Sequence, residues 1–181
     1  MKKIINLNRE KKQRLVFTKP GDYLVFFKNL SGEYIFELKE KEIHLDIYGL
    51  YIGRLSDSFQ LKTKQHHLAP KTTSNLFIKG VFRDRSKFCY QGLIRIEKTG
   101  QGAHAYQKNQ NLVLSEEVFV DSKPELEILA NDVFCTHGAT TGRLNPDELY
   151  YLETRGLEKK KAEKLLIDGF INQLLCLIPT K

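Results

Sequence analysis

The chain has 181 residues, of which 41% are hydrophobic and 28% charged. That is enough apolar content for one domain with a real core, and it excludes a disordered chain. Lys and Arg number 29 against 22 Asp and Glu, a formal net charge of +7, with much of the excess in MKKIINLNREKKQR, a composition that suits a solvated arm before it suits a polyanion site.

Three widely spaced cysteines, Cys89, Cys135 and Cys176, do not make a disulfide framework and point to a reducing compartment. The run IINL after Lys2 and Lys3 is too short for a signal-peptide core, and no stretch approaches the roughly 18 apolar residues of a membrane span. The expected location is the cytoplasm or an organelle interior such as a plastid stroma.

After the basic segment 1–14, the chain reads as short β runs: LVF at 15–17, YLVFF at 23–27 and YIFEL at 34–38, divided by turn residues at Lys19-Pro20-Gly21-Asp22 and Ser31-Gly32-Glu33. Ile43 to Tyr48 alternates strictly, with Ile43, Leu45 and Ile47 on one face and His44, Asp46 and Tyr48 on the other. FQLKT, NLFIKGVF, KFCYQGLIRIE, NLVL, VFV and LEIL continue the series, with apolar centres spaced by roughly ten residues. Such spacing suits a sandwich or barrel, and a β-helix is the repeat alternative, because Asn-Gly and Asp-Gly hairpin turns are missing between the runs. Gln91, Gln107 and Asn109 to Asn111 lie inside strand-like runs, and stacked polar side chains of this kind are expected at solenoid corners.

The β core therefore extends over 15–144 and a helical region over 145–181. Asn145 is a natural N-cap, Pro146 fits the first helical position, Asp147 and Glu148 complement the helix dipole, and Gly156 ends the helix. A second helix is expected from about Glu158 to Leu177, with Ala162, Leu166, Phe170, Leu174 and Leu177 as its apolar stripe and Lys159, Lys160, Lys161 and Lys164 on a solvated or contacting face.

Cys135 and His137 stand two apart, so on a strand they share a face at roughly 6.5 Å and both can reach one metal or sulfur species. A tetrahedral soft-metal site needs about four ligands, and the chain offers no CxxC or HxxxH pair to complete it. The competing reading is a standalone metal-binding or thiol enzyme that uses Cys135 and His137, with His104 or Asp132 orienting a base. His66 and His67 are sent to opposite faces by any strand and read as a polar strand end. Gly100-Gln101-Gly102 lacks a Walker ending and does not open a helix, so no nucleotide site is read.

The ordered segments HLAPKTTS (67–74), KGV (79–81), GLI (92–94), AYQKNQNLVLS (105–115), DSKPELEI (121–128), DVFCTHGATTG (132–142) and YLETRG (151–156) resemble the SufB/SufD family of iron–sulfur cluster assembly proteins. Gly138 and Ala139 after His137, and the lack of a cysteine in AYQKNQNL, are more similar to SufD than to SufB. The resemblance implies a mainly β fold, a right-handed parallel β-helix followed by two C-terminal α-helices. Family members run to several hundred residues, so it also implies a chain shortened at the N-terminus, with the basic segment as cap for the first coil.

The resemblance further implies a non-catalytic scaffold subunit. It would pair with a SufB-like subunit, or with itself as a homodimer, and dock a SufC-like ABC-type ATPase through its C-terminal helices. His137 is the residue carried over to the inter-subunit site, where it faces a partner cysteine, and Cys135 is the weaker candidate. No tightly bound cofactor is implied; a transient iron–sulfur cluster or iron would sit at the subunit interface. Pro146, Leu149, Tyr150, Leu152, Arg155, Leu166 and Phe170 are the expected ATPase-docking residues. Membrane and nucleic acid are not expected partners.

Overall fold

The structure, a computed structural model, describes residues 2–179. In chain order its elements are β1 (Lys3–Asn6), α1 (Leu7–Glu10), β2 (Arg14–Phe17), β3 (Gly21–Lys28), β4 (Gly32–Leu38), β5 (Ile43–Gly53), β6 (Ser58–His67) and β7 (Thr73–Phe82). They continue as β8 (Lys87–Ile96), β9 (Ala103–Val113), β10 (Phe119–Ile128), β11 (Val133–Gly142), α2 (Pro146–Thr154) and α3 (Lys159–Leu175). Every strand pairs in parallel with the next but one. The first sheet runs β1-β3-β5-β7-β9-β11 and the second β10-β8-β6-β4-β2. The chain thus winds as a parallel β-helix and finishes in two helices.

The true repeat is a full turn. β5, β7, β9 and β11 begin at Ile43, Thr73, Ala103 and Val133, a step of 30 residues. The shorter spacing expected from apolar centres arose because polar side chains interrupt long strands: VFV and LEIL are the two ends of β10, and NLVL is the tail of β9. Gln107, Asn109 and Asn111 sit in the lumen and not at corners. Gln91 lies on the outer side, where it donates to Glu125 Oε1 at 2.9 Å. The corners are made instead by left-handed backbone at Glu42, Lys71 and Gly102, stacked through Glu42 N–H to Lys71 O and Lys71 N–H to Gln101 O.

Lumen composition changes along the axis. In the first turns it is apolar and aromatic, with Val25, Phe27, Phe36, Leu38, Ile47, Phe82 and Phe88 in one cluster. Leu7 of α1, 1% exposed, joins that cluster, so the basic N-terminal segment helps close the first turn. Further along the lumen becomes polar. Thr63 bonds Tyr90 at 2.9 Å, and Gln107 Nε2 donates to Gly92 O at 3.2 Å.

The helices begin and end as local chemistry dictates. Asn145 Oδ1 accepts from Asp147 N–H at 2.9 Å, and Pro146 occupies the first turn. Leu157 N–H to Leu152 O and Gly156 N–H to Glu153 O close α2 with Gly156 at φ +89°. Against the outer face of the first sheet, Ile171, Leu174 and Ile178 cover Leu24, Phe26, Tyr48, Leu50, Ile52 and Phe77. Leu177 is 46% exposed and lies off the expected stripe, because α3 stops at Leu175 and the following turn brings Ile178 onto the sheet instead.

Candidate functional site

At the C-terminal end of the helix, β11 closes the first sheet and β10 the second, and neither has a strand beyond it among the described residues. The lumen-facing row of β11 follows from register. Cys135 stacks on buried Ala105, His137 on buried Gln107, Ala139 on Asn109 and Thr141 on Asn111. Cys135 and His137 therefore share one face, as their spacing requires. On β10, Ser122, Pro124, Leu126 and Ile128 continue lumen rows through Tyr90, Gly92, Ile94 and Ile96. Those rows are buried one turn earlier, yet Leu126 is 39% and Ile128 38% exposed. The end of the solenoid is thus a cross-section of its own core, rimmed by two open strand edges.

The two motif residues differ in environment. Cys135 packs beside Ile94, Ile96, Ala103, Ala105 and Ala130, and burial pushes its thiol up to about 11. It is a small apolar filler held protonated. His137 lies exposed one step along the same row. The residues invoked for a thiol enzyme do not assemble: His104 points to the outside, its ring 5.9 Å from Phe134, and Asp132 lies in a turn with its N–H on Gln101 Oε1. Among the described residues no three His, Cys, Asp or Glu side chains come together to hold a metal. One imidazole on an open end can complete a site; by itself it makes none.

The helical arm presents a second surface. α2 buries no side chain; Tyr150 is 69%, Tyr151 56% and Leu165 of α3 51% exposed, and Arg155 lies 5.1 Å over the Tyr151 ring. Pro146 and Arg155 are exposed, while Leu149, Leu152 and Leu166 are half-buried. Phe170 faces inward, 3.8 Å from the Nζ of Lys79. Leu126, Ile128 and Tyr151 belong to these surfaces although sequence reading passed over them. Only the register of β10 on β8, offset by 32 residues, marks the first two as lumen positions.

The family described as "SUF system FeS cluster assembly, SufBD core domain" matches residues 28–170. The chain belongs to the SufBD core family. It is 38% identical over 110 residues to an iron-sulfur cluster assembly SufBD family protein of Synechocystis sp., covering 61% of this chain and 24% of that protein. It is 34% identical over 96 residues to the iron-sulfur cluster assembly protein SufD of Escherichia coli, covering 53% and 23%, and 32% identical over 134 residues to SufD of Bacillus subtilis, covering 74% and 31%. The matched stretch thus spans 23% to 31% of the length of these relatives. The family match begins at the last residue of β3 and ends inside α3, so it takes in most of this chain's solenoid together with its open end and most of the arm. Among the described residues no helix is long and apolar enough to cross a membrane.

Proposed function

We propose that this SufBD core chain is a non-catalytic scaffold subunit in SUF-type iron–sulfur cluster assembly, working in the cytoplasm. The reading rests above all on the open C-terminal end of the solenoid, where His137 stands in an exposed row of core side chains between two free strand edges. Uncovered parallel edges with apolar residues beside them are stable in solution when another chain lies on them. A SufB-like subunit is the partner proposed for this end, with a second copy of this chain as the alternative. A thiolate from that partner would supply the soft ligand that the protonated Cys135 does not, and His137 would complete a shared site for an iron or cluster cargo.

The arm of α2 and α3 is proposed to dock a SufC-like ATPase through Pro146, Tyr150 and Arg155, with Leu149, Leu152 and Leu166 beneath them. Exposed aromatics with an adjacent arginine are the composition of an interface centre.

The test is co-purification with SufB-like and SufC-like proteins, followed by iron and sulfide determination on the wild type and His137→Ala. Capture of both partners, with cluster yield lost at least tenfold in His137→Ala and capture unchanged, is the expected result. If neither partner is captured, or if the variant assembles cluster as well as the wild type, the reading fails.

A further inference from the structure

Lys79 points outward from β7 and yet is 0% exposed, because α3 lies over it. Its Nζ sits 3.8 Å from the centroid of the Phe170 ring and 5.4 Å from that of Phe77, and donates to Gln173 Oε1 at 2.6 Å. No carboxylate lies within ion-pair distance of it among the described residues. The charge that acts on it is another cation, Lys108 of β9, which shares the Phe77 ring. On β5 the register neighbour Leu50 is apolar, and the nearby titratable group is Tyr48, whose hydroxyl burial holds above its usual range. α3 turns Phe170 and Gln173 to the ammonium, while Asp168 stays exposed.

An ammonium covered without a counter-ion opposes the packing that covers it, even when a ring face and an amide oxygen return part of the lost hydration. Burial and Lys108 accordingly lower its pKa to about 8. Around this residue the arm is unevenly held. Toward the C-terminal end of α3, Ile171 and Leu174 are seated in an apolar cluster on β3, β5 and β7. Toward its N-terminal end two clefts separate the arm from the last turns. One of about 510 Å³ is lined by Asn111, Thr141, Arg143 and Phe170, and another of about 350 Å³ by Arg83, Arg143 and Lys159. Phe170, next to Ile171, marks the boundary between the seated half and the spanning half, while Gln173 lies within the seated half.

We propose that Lys79 is a positioning residue that keeps α3 only marginally docked, so that the arm of α2 and the N-terminal half of α3 lifts from the solenoid and returns. The proposal rests on the reading of this arm as the ATPase-docking surface, where a marginal hinge lets a partner set the arm's angle against the β11 end. It differs from a plain packing role in sign, because replacing Lys79 by an apolar residue tightens the arm. Lifting exposes Lys79 and returns its pKa toward 10.5, so the lifted form binds more protons between about pH 8 and 10.5, and docking strengthens as pH rises through that window.

Double electron–electron resonance between nitroxides at Tyr150→Cys on α2 and Lys87→Cys at the start of β8 reads the arm directly, in the full chain with Cys89, Cys135 and Cys176 replaced by serine. With Lys79 intact, two distances are expected at pH 7.5. The lifted fraction falls by pH 9.5, by at most about tenfold per pH unit, the limit for one proton. Lys79→Met is expected to show the docked distance alone at both pH values. Lys79→Arg keeps a charge that does not titrate, and is expected to leave the lifted fraction independent of pH. A lifted fraction in Lys79→Met as large as in the wild type, or an intact Lys79 chain that ignores pH, overturns the proposal. The measurement uses no partner, so its failure leaves the ATPase-docking reading standing, and failed capture of an ATPase leaves this result standing.

Discussion

The imidazole Nε2 of His67 lies 2.7 Å from Ser74 Oγ in the closed lumen, and the direction of that hydrogen bond is fixed by Thr72 on the other side of the ring. Thr72 gives its single hydroxyl proton to Ala69 O, so it must accept from His67 Nδ1–H at 2.7 Å. Nε2 is then the acceptor for the Ser74 hydroxyl, and Ser74 Oγ accepts from Gln65 Nε2 at 2.6 Å. With the ring neutral every donor in this chain has an acceptor, whereas a protonated ring would point Nε2–H at Ser74 Oγ and take this acceptor from the Ser74 hydroxyl proton.

Burial, with a smaller contribution from His66, lowers His67 to about 4 from an ordinary 6.5. The unfolded chain therefore binds the proton first as pH falls. Stability that is complete above about 6.5 is lost progressively toward pH 4, by up to about 3 kcal/mol. Urea unfolding at pH 7.0 and 4.5 should show this loss in the wild type. His67→Gln, less stable at pH 7 by about 1–3 kcal/mol, should show a flatter response, and equal slopes for the two proteins would refute the assignment.

Gly92 marks where the polar lumen is tightest. A Cβ there would lie 2.3 Å from Tyr90 Oη and 2.4 Å from Gln107 Nε2, both groups buried and bonded to Thr63 and to Gly92 O. Gly92→Ala is expected to destabilise the chain by about 1–3 kcal/mol through this overlap. At Gly138, in the motif beside His137, an added methyl group would meet nothing within 4 Å, so Gly138→Ala should fall within about 0.5 kcal/mol of wild type. Thermal melts of the two variants compare them directly.

Cys135 is expected to be a slow thiol. Its pKa of about 11 against an ordinary 9.0 leaves roughly a hundredfold less thiolate near pH 8. Cys176, exposed at the end of α3, should be alkylated first by iodoacetamide, and mass spectrometry of timed samples separates the sites. Modification of Cys135 at the same rate as Cys176 would revive it as a reactive group.

What the sequence made legible was local. YLVFF and the alternating Ile43 to Tyr48 announced strands because side-chain parity is a backbone property, and Asn145, Pro146 and Gly156 announced the bounds of α2 because caps need only neighbouring groups. The solenoid itself was reached through family-like motifs. The 30-residue turn was hidden, since Gln107 and Asn109 occupy lumen positions where an apolar pattern would be sought. His66 and His67 do face opposite ways, but only the fold shows that His67 is enclosed while His66 bonds Glu97 at 2.8 Å outside. Lys79 was unreadable as a buried cation because its cover comes from Gln173, 94 positions along the chain.

Leu174 tests how independently the arm is held. It is 0% exposed and lies in the small cluster with Leu24, Tyr48 and Leu50, apart from the lumen core. Leu174→Ala removes apolar packing of about 2–5 kcal/mol in a well-filled core. Here the loss falls on a helix whose other contacts skirt open clefts, so local release of α3 should precede unfolding of the strands. Limited proteolysis of Leu174→Ala should cleave between Arg143 and Lys164 several-fold faster than in the wild type. Hydrogen exchange of β5 and β7 is expected to stay near its wild-type rate. Equal loss of protection in the strands and in α3 would mean that arm and solenoid unfold as one unit, and that the seam after β11 is not a mechanical boundary.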